Sequence, residues 1–325
     1  MQINLQKSDV PIIWLDTFFV IAYGKITLGD KEDTRYELLY KILLEKIHEQ
    51  KIFCARAEQE DELEDNIDIC MKKFFSLTRG FNFRLSSEVN KAQSTRMMEV
   101  YHNGRKSFNV FQKDVLRESK NRAEGFIINV YSTPTKDSLI NKRIEKDNNL
   151  KELQDFKGIQ SLEQNFEEIL ENEYKGEYIA TNSLLKQAEN LRKMHSGKSD
   201  FDMKLNNQFM GLIFEPLQQW YQVTGQDNDI KGYLEFLLSE EHKKIPYIDI
   251  STYLIADIMS SPKKWDLGDS KDISNLSSYL PYCDFILTDK AQHNRIKRYG
   301  LDKKYDTAVY CMKNINDLIE TIRLL

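Results

Sequence analysis

An α/β fold with a central parallel sheet, interrupted by a long helical insertion, is what the sequence predicts, and three observations carry it. Near the N-terminus a β-favouring run, an amphipathic helical stretch and a second apolar run follow one another, the strand, helix, strand order of a parallel sheet. Residues 245 to 325 alternate helical and strand-like patterns in the same way. Between roughly residues 70 and 240 the chain instead reads as long, charged, mainly helical segments with few prolines.

Taken in order, "IIWL" at residues 12 to 15 is a short β-favouring run that breaks at Asp16-Thr17, so the strand ends with an acid at its carboxyl end. From Thr34 to Gln50 the residues Leu38, Leu39, Ile42, Leu43 and Ile47 recur at helical spacing, and "KIFCA" follows as a second buried strand. "SLEQNFEEILENEYKGEYIATNSLLKQAENLRKM" represents the helical middle, where "GFIINVYS" alone reads as a strand. The cluster "GQDNDIKG" marks a boundary before the C-terminal part. There "DISTYLIADIMSS" and "KDISNLSSYLPY" read as helices, the second opened by Asp272 and stopped before Pro281. "DFILT" is a strand, "DKAQHNRIKRYG" a helix with a glycine stop, "DTAVYCM" a strand and "NINDLIETIRLL" a closing helix. The expected organisation is therefore one α/β domain in two parts, residues 1–70 and 241–325, with residues 71–240 as a helical insertion.

The totals fit a globular chain. Its 325 residues, 41% apolar, can fill a sizeable core. Forty-six Lys and Arg against 51 Asp and Glu give a net charge of −5, so bulk attraction to nucleic acid is not expected, although local basic patches are compatible with it. Cys54, Cys70, Cys283 and Cys311 show no CxxC spacing, which argues against a zinc ribbon or a redox pair and for free thiols in a reducing compartment. "VPIIWLDTFFVIAYG" is short for a bilayer span and carries Asp16 near its middle. With no basic leader or small-residue cleavage site, a soluble cytoplasmic protein without a membrane partner is the expectation.

Ligand sites in parallel α/β sheets lie outside the carboxyl ends of the strands. Asp16 follows "IIWL" and Asp289 follows "FILT", so both fall at that edge, where clustered carboxylates repel and call for a cation. Asp272, at the start of its helix, can point into the same cleft, with an N-cap as its competing role. Asp284 precedes its strand, at the opposite end, and reads as a turn or cap residue. Asp269 either caps a helix or supplies an outer carboxylate. Thr17 and Thr288 flank the first and last acids, where a hydroxyl can hold a carboxylate in place or simply suit a strand end.

An N-terminal strand ending "LDT", a second strand running into the acidic stretch "CARAEQEDELED", then "KDISNL" and "FILTDK" in this order resemble the PIN domain nucleases. The resemblance covers residues 10 to 65 and 245 to 325 and implies a three-layer α/β/α PIN-like domain. Carried over position by position, it implies an acidic set of Asp16, Glu62, Asp272 and Asp289. Glu58 is the alternative to Glu62, since the two share a helix face, and a solvated face is the competing reading for the whole acidic run.

Four carboxylates suit the hydrolysis of a phosphodiester by one or two Mg²⁺ or Mn²⁺ ions, which oxygen ligands select. No histidine, cysteine or serine stands in a comparable constellation, and "LDTFF" lacks the second Asp two positions on that haloacid-dehalogenase-like phosphatases show. The expected activity is a metal-dependent nuclease, an endoribonuclease by the resemblance, with RNA before DNA as substrate; a non-catalytic PIN-like scaffold binding protein or nucleic acid is the alternative. A regulatory protein or self-association stays open as a further partner. Lys290, Arg295, Lys297 and Arg298 start at the proposed metal site and are the expected phosphate contacts, against the reading of an ordinary solvated helix face. "HNGRKSFNVFQKDVLRESKNR" is a second basic stretch, whose Phe108 and Phe111 read more naturally as core.

Overall fold

The computed structural model describes residues 1–29, 33–59, 67–79, 81–116, 154, 165–194, 215–227, 229–262 and 265–325. Glu62, most of the acidic stretch after "CARA" and the expected strand "GFIINVYS" lie outside them.

Four parallel strands form the central sheet: β2 (Ile12–Leu15), β3 (Phe53–Cys54), β5 (Phe285–Leu287) and β6 (Ala308–Tyr310), in the order β3-β2-β5-β6. All four residues of β2 are buried, as expected of a central strand covered on both faces. Its side chains alternate, so Ile13 and Leu15 enter one core and Ile12 and Trp14 another. The first core is closed by helices α1 (Thr17–Thr27), α2 (Thr34–His48), α3 (Ile67–Thr78) and, at the chain's end, Ile315–Arg323, through residues such as Phe19, Leu43, Phe74 and Leu318.

The second core takes in α4 (Ser86–His102), α5 (Phe166–Met194), α6 (Glu215–Thr224), α7 (Ile230–Leu237), α8 (Pro246–Ser260), α9 (Leu267–Tyr279) and α10 (Lys290–Arg298). Helices on both faces of a parallel sheet make this an α/β fold compatible with three layers, helix, sheet and helix. Short helix α11 (Leu301–Lys304) follows α10 across Gly300, which stands at φ 65° as the expected glycine stop, and leads to β6, after which the closing helix is α12 (Ile315–Arg323).

Two features differ from the sequence reading, the pairing of the first strand and the start of α9. A second, two-stranded parallel sheet pairs β1 (Gln2–Gln6) with β4 (Ser107–Phe111), from Gln2 opposite Ser107 to Gln6 opposite Phe111. The basic stretch around residue 108 thus contributes a strand, with Phe108 and Val110 buried in the core. One core cluster joins Phe83, Met97, Trp220 and Phe236, from the expected insertion, to Trp14 and Ile286 of the sheet-forming parts. "GQDNDIKG" runs from the end of α6 into the first turn of α7, where Asp229 caps α7 by accepting from the Gly232 N–H at 2.9 Å. The second difference is that Asp272 does not open its helix. The α9 N-cap is Asp266, and Asp269 completes a capping box with it, the two backbone N–H to carboxylate bonds measuring 2.9 and 3.1 Å. Asp272 therefore sits inside α9.

Among the described residues no helix is long and apolar enough to cross a membrane.

Candidate active site

Parallel pairing of β2 with β5 sets the frame, because adjacent parallel strands end at the same edge. Asp16 is the first residue after β2 and the N-cap of α1, in an extended conformation (φ −64°, ψ 155°) and only 6% exposed. Its backbone N–H donates to the Leu287 carbonyl at 2.9 Å, and the buried Thr288 hydroxyl donates to its Oδ2 at 2.9 Å. Thr288 thus does hold the first acid, one of the two roles open to it. Beneath this junction Gln59, with no exposed surface, donates through Nε2 to the Leu15 carbonyl at 2.8 Å and accepts from the Ala57 N–H at 2.6 Å.

Asp289 follows Thr288 and caps α10: its Oδ1 accepts from the backbone N–H groups of Ala291 and, at 3.0 Å, of Gln292. The Gln292 side chain, 1% exposed, donates through Nε2 to Asp272 Oδ2 at 3.1 Å. Asp16 and Asp289 therefore follow the ends of adjacent parallel strands, and Asp272 is joined to Asp289 through one glutamine. Glu58, the alternative to Glu62, accepts from the Ser86 N–H at 3.3 Å and hydroxyl at 2.6 Å, capping α4. Its charge adds to burial in holding the Tyr279 phenol far above its ordinary range, burial being the larger cause. Among the described residues no three His, Cys, Asp or Glu side chains form a group that could hold a metal ion.

The two remaining aspartates of the C-terminal stretch have structural partners. Asp284, at the amino end of β5, accepts from the Ile12 N–H at 2.8 Å and from Gln112 Nε2 at 3.0 Å, so it ties neighbouring elements together rather than closing a local turn or capping a helix. Asp269 caps α9 and also receives Arg295 Nη1 at 3.3 Å.

The basic residues of α10 separate. Lys290 is exposed beside Asp289. Arg295 faces inward, 6% exposed, with Nε 3.0 Å from Asp257 Oδ2, so its charge is matched inside the fold rather than offered to a phosphate. Lys297 pairs with Asp302 at 2.7 Å. The Arg298 side chain is 62% exposed and reaches Asp257 Oδ1 at 2.5 Å, and its hydrogen bond with Tyr299, followed by the Asp257 charge, raises its already high pKa.

Gln59 and Gln292 escaped the sequence reading. A faint signal exists for one of them: Asp289 and Gln292 stand at the spacing of a capping box. No family model matches the chain, and neither a curated protein nor a solved structure matches it.

Proposed function

We propose that the chain is a metal-dependent nuclease of PIN type, an endoribonuclease acting at the edge where β2 and β5 end. The observation that carries this reading is the Asp16–Thr288 hydrogen bond, which fastens one acid to the residue preceding another across two parallel strands. Asp16, Asp272, Asp289 and Glu62 would have to act together to hold Mg²⁺ or Mn²⁺, because the described acids alone form no group of three around one point; a purely carboxylate donor set is the kind that hard divalent ions select. When bound, such an ion supplies a deprotonated water near neutral pH and neutralises the leaving oxygen. The chain's own part is orientation: Thr288 steadies Asp16, Gln292 steadies Asp272, and the capping amides steady Asp289. Lys290, exposed beside Asp289, is placed to meet a flanking phosphate, and the helices α4 to α7 offer surface for substrate selection or a regulatory partner.

A second reading has an observation of its own. Asp289 Oδ1 is engaged as a helix cap, a role that a PIN-like scaffold binding protein or nucleic acid without turnover would equally need. Incubating the purified protein with labelled single- and double-stranded RNA and DNA, with Mn²⁺, Mg²⁺ or EDTA, separates the two. Cleavage of RNA that requires the metal and disappears in Asp16→Asn supports the nuclease. Intact substrate under every condition, with no measurable Mn²⁺ binding, leaves the scaffold.

A further inference from the structure

We propose that Gln292 is the positioning residue of the acidic edge beyond β2 and β5, setting the Asp272 carboxylate relative to Asp289; this rests on the nuclease reading above. Gln292 touches both acids, its side-chain Nε2 donating to Asp272 Oδ2 at 3.1 Å and its backbone N–H to Asp289 Oδ1 at 3.0 Å. Three residues after an N-cap, a glutamine ordinarily turns its side-chain oxygen back to the cap's own N–H, closing a capping box. Here it does not. Its Oε1 is buried and has no hydrogen-bond partner among the described residues, a state that costs free energy and that structures rarely keep without a reason. The amide cannot relieve it by rotating half a turn, because that would set its carbonyl oxygen against the Asp272 carboxylate, acceptor against acceptor. Its orientation is therefore dictated by Asp272 rather than by its own helix.

A second contact, one turn along, holds the same two helices. Arg295, three residues after Gln292 on α10, reaches Asp269, three residues before Asp272 on α9, at 3.3 Å, and the Arg295 and Asp269 side chains are 7% and 2% exposed. The pair spacing of three residues on each helix puts both contacts on facing stripes. Arg295 fixes how the helices lie, and Gln292 fixes where the carboxylate points. Residues that orient a metal-binding carboxylate in this way commonly change metal affinity by about 10- to 100-fold when removed.

Gln292→Leu, Asp272→Asn, their combination, and the exchange Asp272→Asn with Gln292→Glu test this. In EDTA, urea unfolding should show the exchange recovering much of the stability that each single change loses, because an amide again faces a carboxylate. With Mn²⁺, calorimetry should show Gln292→Leu binding about tenfold more weakly, with kcat falling and KM for RNA nearly unchanged. In the Asp272→Asn background, Gln292→Leu should add almost nothing. Equal losses in both backgrounds, or no coupling in EDTA, would overturn the positioning role alone. A wild-type protein that shows the coupling in EDTA and yet binds no Mn²⁺ would overturn the nuclease reading, and the role with it.

Discussion

Arg295 and Asp257 form an ion pair that solvent scarcely reaches, with Nε 3.0 Å from Oδ2 and side chains 7% and 10% exposed. Through Nη1 the same guanidinium meets Asp269, so one residue of α10 ties α8 to α9 beside the candidate site. Desolvating these charges is costly, and the mutual pairing offsets it together with the Tyr299 hydroxyl and Arg298 at Asp257 and the Asp266 N–H at Asp269. Arg295→Met should therefore lower unfolding stability by about 3–5 kcal/mol, because the carboxylate of Asp269 stays buried without its cation. Arg295→Lys should also lose stability, since a point charge cannot reproduce the two-sided fork. Arg298→Ala, removing a largely exposed partner of Asp257, should cost under about 1 kcal/mol. Urea unfolding of the three variants checks the ranking, and an Arg295→Met protein as stable as wild type would put the arginine outside the core network.

A second consequence concerns alkaline pH. Burial pushes the phenols of Tyr174, Tyr233, Tyr279 and Tyr305 well above their usual range, with the Asp249 carboxylate beside Tyr174 and Tyr305 and Glu177 beside Tyr233 adding to it. Tyr282 and Tyr299 are pushed up to about 12, chiefly by burial. Burial likewise raises the Cys54 and Cys283 thiols. A folded-state pKa above the unfolded one means that this stability is complete below the unfolded value and is lost as pH climbs toward the folded one. Stability should thus decline from about pH 8.5, where unfolded thiols ionise, and more steeply above about pH 10, where unfolded phenols do. Melting temperatures between pH 7 and 11, followed with phenolate absorbance, test it: absorbance from these tyrosines should appear with unfolding rather than before it.

How far these features can be read in the sequence depends on how local their causes are. The strand Ile12–Leu15 and the acid after it were legible because four apolar residues and a break lie side by side. β4 was not, because Ser107–Phe111 is a short alternation inside a basic stretch and its partner strand lies at the other end of a long separation in sequence. The start of α9 was hidden by Gly268 in its first turn, a poor helix former that directs attention past Asp266 to Asp272. Arg295 and Lys290 look alike on paper. Only the position of Asp257 on another helix decides that the arginine turns inward. Gln59 and Gln292 carry no compositional signal, since what they do depends on which carbonyl or carboxylate the fold sets before them.

Gln59 offers a direct check on how the β2 end is held. Its two bonds satisfy the Leu15 carbonyl and the Ala57 N–H in a place with no water access through the side chain itself. Gln59→Leu fills the space but leaves two backbone groups without partners, at about 1–3 kcal/mol for each. A loss of about 2 kcal/mol or more by urea unfolding is expected, together with weaker Mn²⁺ binding because Asp16 directly follows Leu15. Unchanged stability would mean that other groups can take over both bonds.

Asp289 is where capping and charge can be separated. Its Oδ1 holds the first N–H groups of α10, so Asp289→Ala should remove a cap and cost about 1 kcal/mol. Asp289→Asn keeps an oxygen in that place, and asparagine caps about as well as aspartate. What the amide cannot supply is the negative charge at the helix N-terminus, a difference of about 0.3–1 kcal/mol. It also cannot supply a charged ligand. If the carboxylate serves a divalent ion, both variants should lose cleavage by orders of magnitude while differing in stability, because the ion's work in activating water and neutralising the leaving oxygen depends on its being held. If the residue is a cap alone, activity should follow stability instead, with Asp289→Asn close to wild type and Asp289→Ala impaired only as far as α10 frays. Urea unfolding in EDTA gives the stability axis and Mn²⁺-dependent cleavage of labelled RNA gives the other. A folded Asp289→Asn protein with wild-type cleavage would remove Asp289 from the metal site and leave it as the cap of α10.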